Sequence, residues 1–208
     1  MTGILDLELG SETLEKSAVD LVIAGIFSDE FPLRGGAGRV DWRLCGLVSD
    51  QLLAGRIRGS RDEALLIPST GQLRAHRVMV LGLGARSKYK LALVARSVQQ
   101  AVSRATALAS PSLAMAPLGI AGDEFPRCAE AIVAGAIAGF EDSTASLRLR
   151  IVLPPSEMNR GAQAITAYLG TVAAPKLRFQ RRSAGSSSSR ANPENSQPPA
   201  APGRSPRV

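Results

Sequence analysis

Apolar runs and amphipathic segments alternate along residues 4–172, and two periods are legible in them. Residues 4–9 alternate strictly, with Leu5, Leu7 and Leu9 on one side and Ile4, Asp6 and Glu8 on the other, which predicts a half-exposed strand at a sheet edge. Residues 19–27 are apolar almost throughout and predict a central strand buried on both faces. Residues 63–67 and 77–81 predict two neighbouring strands joined by Pro68-Ser69-Thr70-Gly71-Gln72, whose proline and glycine favour a turn. Residues 112–117 and 147–153 supply two more strands. Helical spacing recurs at 38–57 (Val40, Leu44, Leu47, Val48, Leu52, with Trp42 just off the stripe), 91–109, 126–140 and 157–172. Pro126 suits a first helical turn, and Asp123 or Glu124 puts negative charge at that helix's positive end. Ala131, Ala134, Gly135, Ala138 and Gly139 leave one side of the same helix nearly bare, which predicts close helix-on-sheet packing. Strands alternating with helices in this way predict an α/β fold, a three-layer α/β/α sandwich.

The pattern stops near Pro175. Residues 175–208 are rich in Ser, Pro, Ala and Arg and hold almost no large apolar side chain after Phe179, too little to offset chain entropy. The expected organisation is therefore one folded domain over 1–174 and a disordered basic tail over 175–208. Net charge sharpens this division. Of the overall +7, +6 belongs to the tail, where Lys176, Arg178, Arg181, Arg182, Arg190, Arg204 and Arg207 face only Glu194. A nearly neutral folded part argues against a dedicated nucleic-acid surface, and the tail offers at most salt-sensitive, non-specific affinity for nucleic acid. No targeting segment is visible, and no apolar run approaches the roughly 18 residues of a membrane span, so a cytoplasmic protein without a membrane partner is expected. Cys45 and Cys128 lack a second Cys or a His at metal-ligand spacing and read as small buried hydrophobes.

Several local patterns carry a family resemblance: Val19-Asp20-Leu21-Val22-Ile23-Ala24-Gly25-Ile26-Phe27, the strand end Leu65-Leu66-Ile67-Pro68, the helix ending Ala138-Gly139-Phe140, and above all Arg77-Val78-Met79-Val80-Leu81-Gly82-Leu83-Gly84 running into a helix. In their order they resemble the N-terminal domain of the leucyl aminopeptidase (M17) family, over about residues 1–172. The resemblance implies a macrodomain-like fold, a three-layer α/β/α sandwich with a mixed sheet between the helices. It also implies that the two-metal peptidase site belongs to a separate C-terminal domain; the family's signature Asn-Thr-Asp-Ala-Glu-Gly-Arg-Leu is absent here, so no catalytic or metal-binding residue carries over.

Two glycine-rich stretches are candidate ligand loops. Gly82-x-Gly84-x-x-Ser87 follows a strand and precedes a helix, one residue short of the dinucleotide fingerprint, but no acidic residue follows at the spacing a ribose requires. Arg34-Gly35-Gly36-Ala37-Gly38-Arg39 sets arginines around glycines ahead of a helix, as an anion site would, though the Asn-bearing loop and the Asp of a true macrodomain are not evident. Both stretches also read simply as a turn and a surface loop. His76, the single histidine, has no orienting carboxylate or nucleophile in view and reads as an exposed strand end. The expectation is a protein that is not an enzyme and needs no cofactor, serving as a regulatory, assembly or structural module through a protein partner or self-association. The alternatives are a macrodomain-like nucleotide or anion binder and a truncated remnant of a metal-dependent aminopeptidase.

Overall fold

The computed structural model describes residues 3–181. Seven strands form one sheet: β1 (Leu5–Gly10), β2 (Leu21–Ile26), β3 (Ala64–Pro68), β4 (Arg77–Gly82), β5 (Ser112–Met115), β6 (Leu147–Val152) and β7 (Leu177–Arg181). Their order is β3-β4-β2-β5-β6-β1-β7, and every pair is parallel except the β3–β4 hairpin. The helices are α1 (Gly35–Arg43), α2 (Leu47–Leu53), α3 (Leu91–Ala107), α4 (Phe125–Phe140) and α5 (Met158–Leu169). Parallel neighbours need crossovers, and the helices supply them on both faces.

The strand pattern sets the layers. In β2, Leu21 and Ile23 join the core beneath α3, α4 and α5, while Val22, Ala24 and Ile26 join the one beneath α1 and α2. This is the central strand buried on both faces that its continuous apolar run predicts. In β1 only Leu5, Leu7 and Leu9 reach a core, and Asp6 and Glu8 are half-buried on the opposite face.

Expectations are corrected in three places. First, β1 is not an edge strand: β7 pairs with it, Leu5 opposite Leu177 and Leu7 opposite Phe179. The domain therefore runs past the boundary expected at Pro175, because Leu177 and Phe179 alternate with Arg178 and Gln180 and pack their apolar side on the core. The remaining tail residues, including Arg182, Arg190, Arg204 and Arg207, lie outside the described residues. A chain ending at Ala174 should accordingly be about 2 kcal/mol less stable than one ending at Arg181, since two half-buried apolar side chains are lost. Urea denaturation of the two chains checks this.

Second, the helical spacing at 38–57 is divided between α1 and α2. Cys45 and Gly46 take φ values of 55° and 86°, and the Asp41 carboxylate accepts hydrogen bonds from the N–H groups of Val48 and Ser49 at the start of α2. Cys45 sits exposed in this corner instead of being buried; Cys128 is buried. Third, the bare side of α4 meets another helix. A Cβ on Gly135 or Gly139 would overlap the carbonyl oxygens of Ala95 or Gln99 in α3, so these glycines set helix-on-helix spacing.

Candidate functional site

Strand connections decide where the molecule is open. The chain leaves β2 towards α1 on one face, whereas it leaves β4 and β5 towards α3 and α4 on the other. Outgoing segments that diverge in this way open a crevice beyond the carboxyl ends of neighbouring strands. On the β4 side the crevice is closed. The N–H groups of Gly82, Leu83 and Gly84 donate to the carbonyls of Glu63, Ile26 and Gly59, at 2.9, 2.8 and 2.9 Å. These donors are spent inside the fold, and Gly82-x-Gly84 is a packed turn with no phosphate cradle. Asp62 pins the overlying loop by accepting hydrogen bonds from Arg96, Gln100 and Arg104 of α3.

On the β5 side the crevice remains open as a cleft of about 760 Å³, with walls from residues 27–37, from Arg86 and Ser87, and from residues 117–121. Of the residues singled out in the sequence, Arg34, Gly35, Gly36 and Ser87 line it. Gly82, Gly84 and Gly38 are not among its lining residues; a Cβ on Gly38 would press on the Leu33 carbonyl, 2.6 Å away. Gly36 lets α1 start close to the cleft floor, since its Cβ would lie 3.2 Å from both Ala116 and Leu14. The first intrahelical bond of α1 is donated by Gly38 to Arg34 at 3.0 Å. The N–H groups of Gly35, Gly36 and Ala37 precede it, and no acidic residue occupies this first turn. A helix end of this kind favours negative charge.

Residues that sequence reasoning did not single out complete the cleft. Arg86 donates its backbone N–H to Asp29 Oδ1 at 2.8 Å and lays its guanidinium over the Phe27 ring, 5.0 Å from the centroid. Phe27 meets Tyr89 edge-on at 5.2 Å. The Tyr89 hydroxyl donates to the Leu118 carbonyl at 3.0 Å, and burial pushes its pKa up to about 12, so it stays a donor. Gly119 closes the wall at φ 71°; a side chain there would run into Phe27 and Tyr89 at 2.6 and 2.9 Å. Glu30 bridges Arg86, at 3.2 Å, and Arg34, at 3.6 Å.

His76 lies elsewhere, at the amino ends of β2 and β4, with Nδ1 3.5 Å from Asp20 Oδ1 and its side chain 81% exposed. Burial raises the pKa of Asp20, but hydrogen bonds from Arg77 and Ser110 and the charges of Arg77 and His76 outweigh it, so the carboxyl titrates below its ordinary 3.8. A lowered carboxyl pKa gives stability that is complete above pH 3.8 and is lost as pH falls towards the native-state value. Asp20→Asn should thus be less stable than the wild type at neutral pH, with a gap that narrows in acid; circular dichroism of both proteins across that range checks it. Among the described residues, no group of three or more His, Cys, Asp and Glu is arranged to hold a metal ion. The described residues do not fit a two-metal centre, and no helix among them is long and apolar enough to cross a membrane.

The fold is that of a macrodomain-like α/β protein, a mixed sheet between two layers of helices. Its structure resembles the Oceanobacillus iheyensis macrodomain with ADP at a TM-score of 0.61, with 8% identity over 79% of this chain and 92% of that one. It also resembles a tomato leucine aminopeptidase variant at a TM-score of 0.62, with 17% identity over 82% of this chain and 37% of the enzyme. Residues 23–142 match the cytosol aminopeptidase family, N-terminal domain, and the chain belongs to that family. A probable cytosol aminopeptidase of Alkaliphilus oremlandii is 23% identical over 116 residues, which cover 56% of this chain and 23% of the relative. The chain thus spans about a quarter of the length of the curated relatives it matches.

Proposed function

We propose that this domain is a non-catalytic binding module that takes a nucleotide-like anionic ligand in the cleft between the segments following β2 and β5. One observation carries the reading: Arg34 and Arg86 flank an open cleft into which α1 presents its unacidified first turn. Arginine forks and helix N–H groups are the donors that phosphate oxygens take. Phe27, which Tyr89 supports edge-on from behind, and the apolar Leu118 and Ile120 give the rest of the cleft an apolar wall suited to a flat ring. The macrodomain with ADP, which shares the fold, supports the same class of ligand. Titration calorimetry with ADP-ribose tests the proposal. Saturable heat that is lost in Arg86→Gln is the expected result, and no heat at millimolar ligand ends the reading.

A second reading is favoured by a separate observation. Trp42 on α1 and Leu53 on α2 are 76% and 75% exposed, as anchors of a protein contact would be. In this reading the domain is a regulatory, assembly or structural module held by a protein partner or by self-association. Retention of one defined protein from native extract, lost in Trp42→Ala, is its test. Either role is non-catalytic and goes with a cytoplasmic location. The purified chain is expected to leave leucine p-nitroanilide intact in the presence of Mn²⁺, and chelator-sensitive hydrolysis would overturn that.

A further inference from the structure

We propose that Glu30 is a built-in competitor for the ligand's anionic group, a carboxylate that must leave Arg34 and Arg86 before a phosphate can bridge them. This inference rests on the reading of the cleft as a nucleotide-class site. The carboxylate of Glu30 presents one oxygen to each guanidinium: Oε1 lies 3.6 Å from Arg34 Nε, and Oε2 accepts from Arg86 Nη1 at 3.2 Å. Its side chain is 19% exposed, against 77% for Arg34 and 58% for Arg86, so the carboxylate sits inside and the two cations outside. Glu30 thereby occupies the position between the arginines that a phosphate group would bridge.

The neighbours give this arrangement a direction. Arg86 is fixed independently of Glu30, through its backbone bond to Asp29 and its stacking on Phe27, so releasing Glu30 leaves the guanidinium in place. Arg34 immediately precedes α1, its side chain is 77% exposed and it pairs with Glu30, so releasing Glu30 frees it. Ion pairs between such exposed cations and a carboxylate are weak and easily exchanged. A diphosphate carries more charge than Glu30 and can take both arginines together with the N–H groups of Gly35 and Gly36. A neutral ligand meets the bridge closed and draws nothing from either arginine. Glu30 therefore lowers the affinity for ligands that need the two arginines and leaves that for neutral ligands as it is.

The test is calorimetry of the full chain with ADP and with adenosine, comparing wild type, Glu30→Gln, Arg86→Gln and the double variant. Glu30→Gln should tighten ADP binding by about three- to tenfold, the equivalent of two exposed ion pairs released. Adenosine binding should stay unchanged, and the gain should be smaller in the Arg86→Gln background, where Glu30 holds only Arg34. A merely structural Glu30 would shift thermal stability and both ligands alike. ADP binding by Glu30→Gln alone, with none by the wild type, would support the inference still more strongly. Binding by the wild type with no gain, or a loss, in Glu30→Gln overturns the role of Glu30 and leaves the cleft reading standing. No ADP binding by either protein at millimolar concentration overturns both.

Discussion

Replacing Gly82 by alanine should lower the unfolding free energy by about 3 kcal/mol, the upper end of the usual cost of overpacking. Gly82 ends β4, paired with Ile26 of β2, and a Cβ there would overlap the carbonyl oxygen of Ser60. That oxygen cannot swing away as a side chain would. It belongs to a loop held by Gly82 and Gly84 through their N–H bonds to Glu63 and Gly59, and by Asp62 through Arg96, Gln100 and Arg104. Relieving the clash therefore means losing several of these bonds together. Gly170→Ala is the matched control, since the nearest atoms to its Cβ are carbonyl oxygens at 3.4 and 3.6 Å, and it should change stability by less than about 0.5 kcal/mol. Equal urea midpoints for the two variants would contradict this account of the turn.

The second large effect is expected at Arg150. This residue lies on β6 directly opposite Glu8 of β1, is 2% exposed, and donates to Glu8 Oε2 from Nε and Nη2 at 3.2 and 3.0 Å and to Glu12 Oε1 from Nη1 at 2.6 Å. Arg150→Ala leaves the largely buried Glu8 facing only the exposed Arg148, 3.4 Å away. Removing one partner of a buried pair costs 3–5 kcal/mol, and because Glu12 is 35% exposed and partly solvated, about 2–3 kcal/mol is expected here. The double variant Glu8→Gln/Arg150→Met should recover part of that loss, because it removes the stranded charge and keeps the volume. Thermal unfolding of both proteins checks the order; a double variant less stable than Arg150→Ala would contradict it.

Arg150 also shows where the sequence stops being informative. In Leu147-Arg-Leu-Arg-Ile-Val the alternation gives the strand and its inward face, but Arg148 and Arg150 are indistinguishable in it. The difference between them comes from the turn after β1, which brings Glu12 over one arginine and not the other, and from Gly10, whose missing side chain leaves room for the Arg150 stem 3.1 Å away. The strands β2 to β6 and the helices α3 to α5 were legible because each carries its own period. The β7 strand was not, because a five-residue edge strand with two apolar positions looks like the start of a polar tail until β1 is there to receive it. The corner at Cys45 was hidden for a related reason, since α2 continues the apolar stripe of α1 across the break.

The cleft was legible in half. The Arg34-Gly35-Gly36 stretch announced itself by composition and lies in the wall, and Ser87 lies there too, whereas the glycines at 82 and 84 serve packing. Asp29, Glu30, Arg86 and Gly119 carry no motif. They meet only because the segments leaving β2, β4 and β5 converge at one end of the sheet, and that depends on strand order, which no local pattern encodes.

The most direct measurement of the central claim is the position of the bound ligand. Amide shifts of the ¹⁵N-labelled full chain, followed by nuclear magnetic resonance during titration with ADP, should move in a saturable manner at Gly35, Gly36 and Ala37, at Arg86 and Ser87, and along residues 118–121, and should stay fixed on the outer faces of α3 and α4. Absence of shifts at millimolar ADP, or shifts concentrated away from this cleft, would contradict the assignment of the domain as a nucleotide-class binding module.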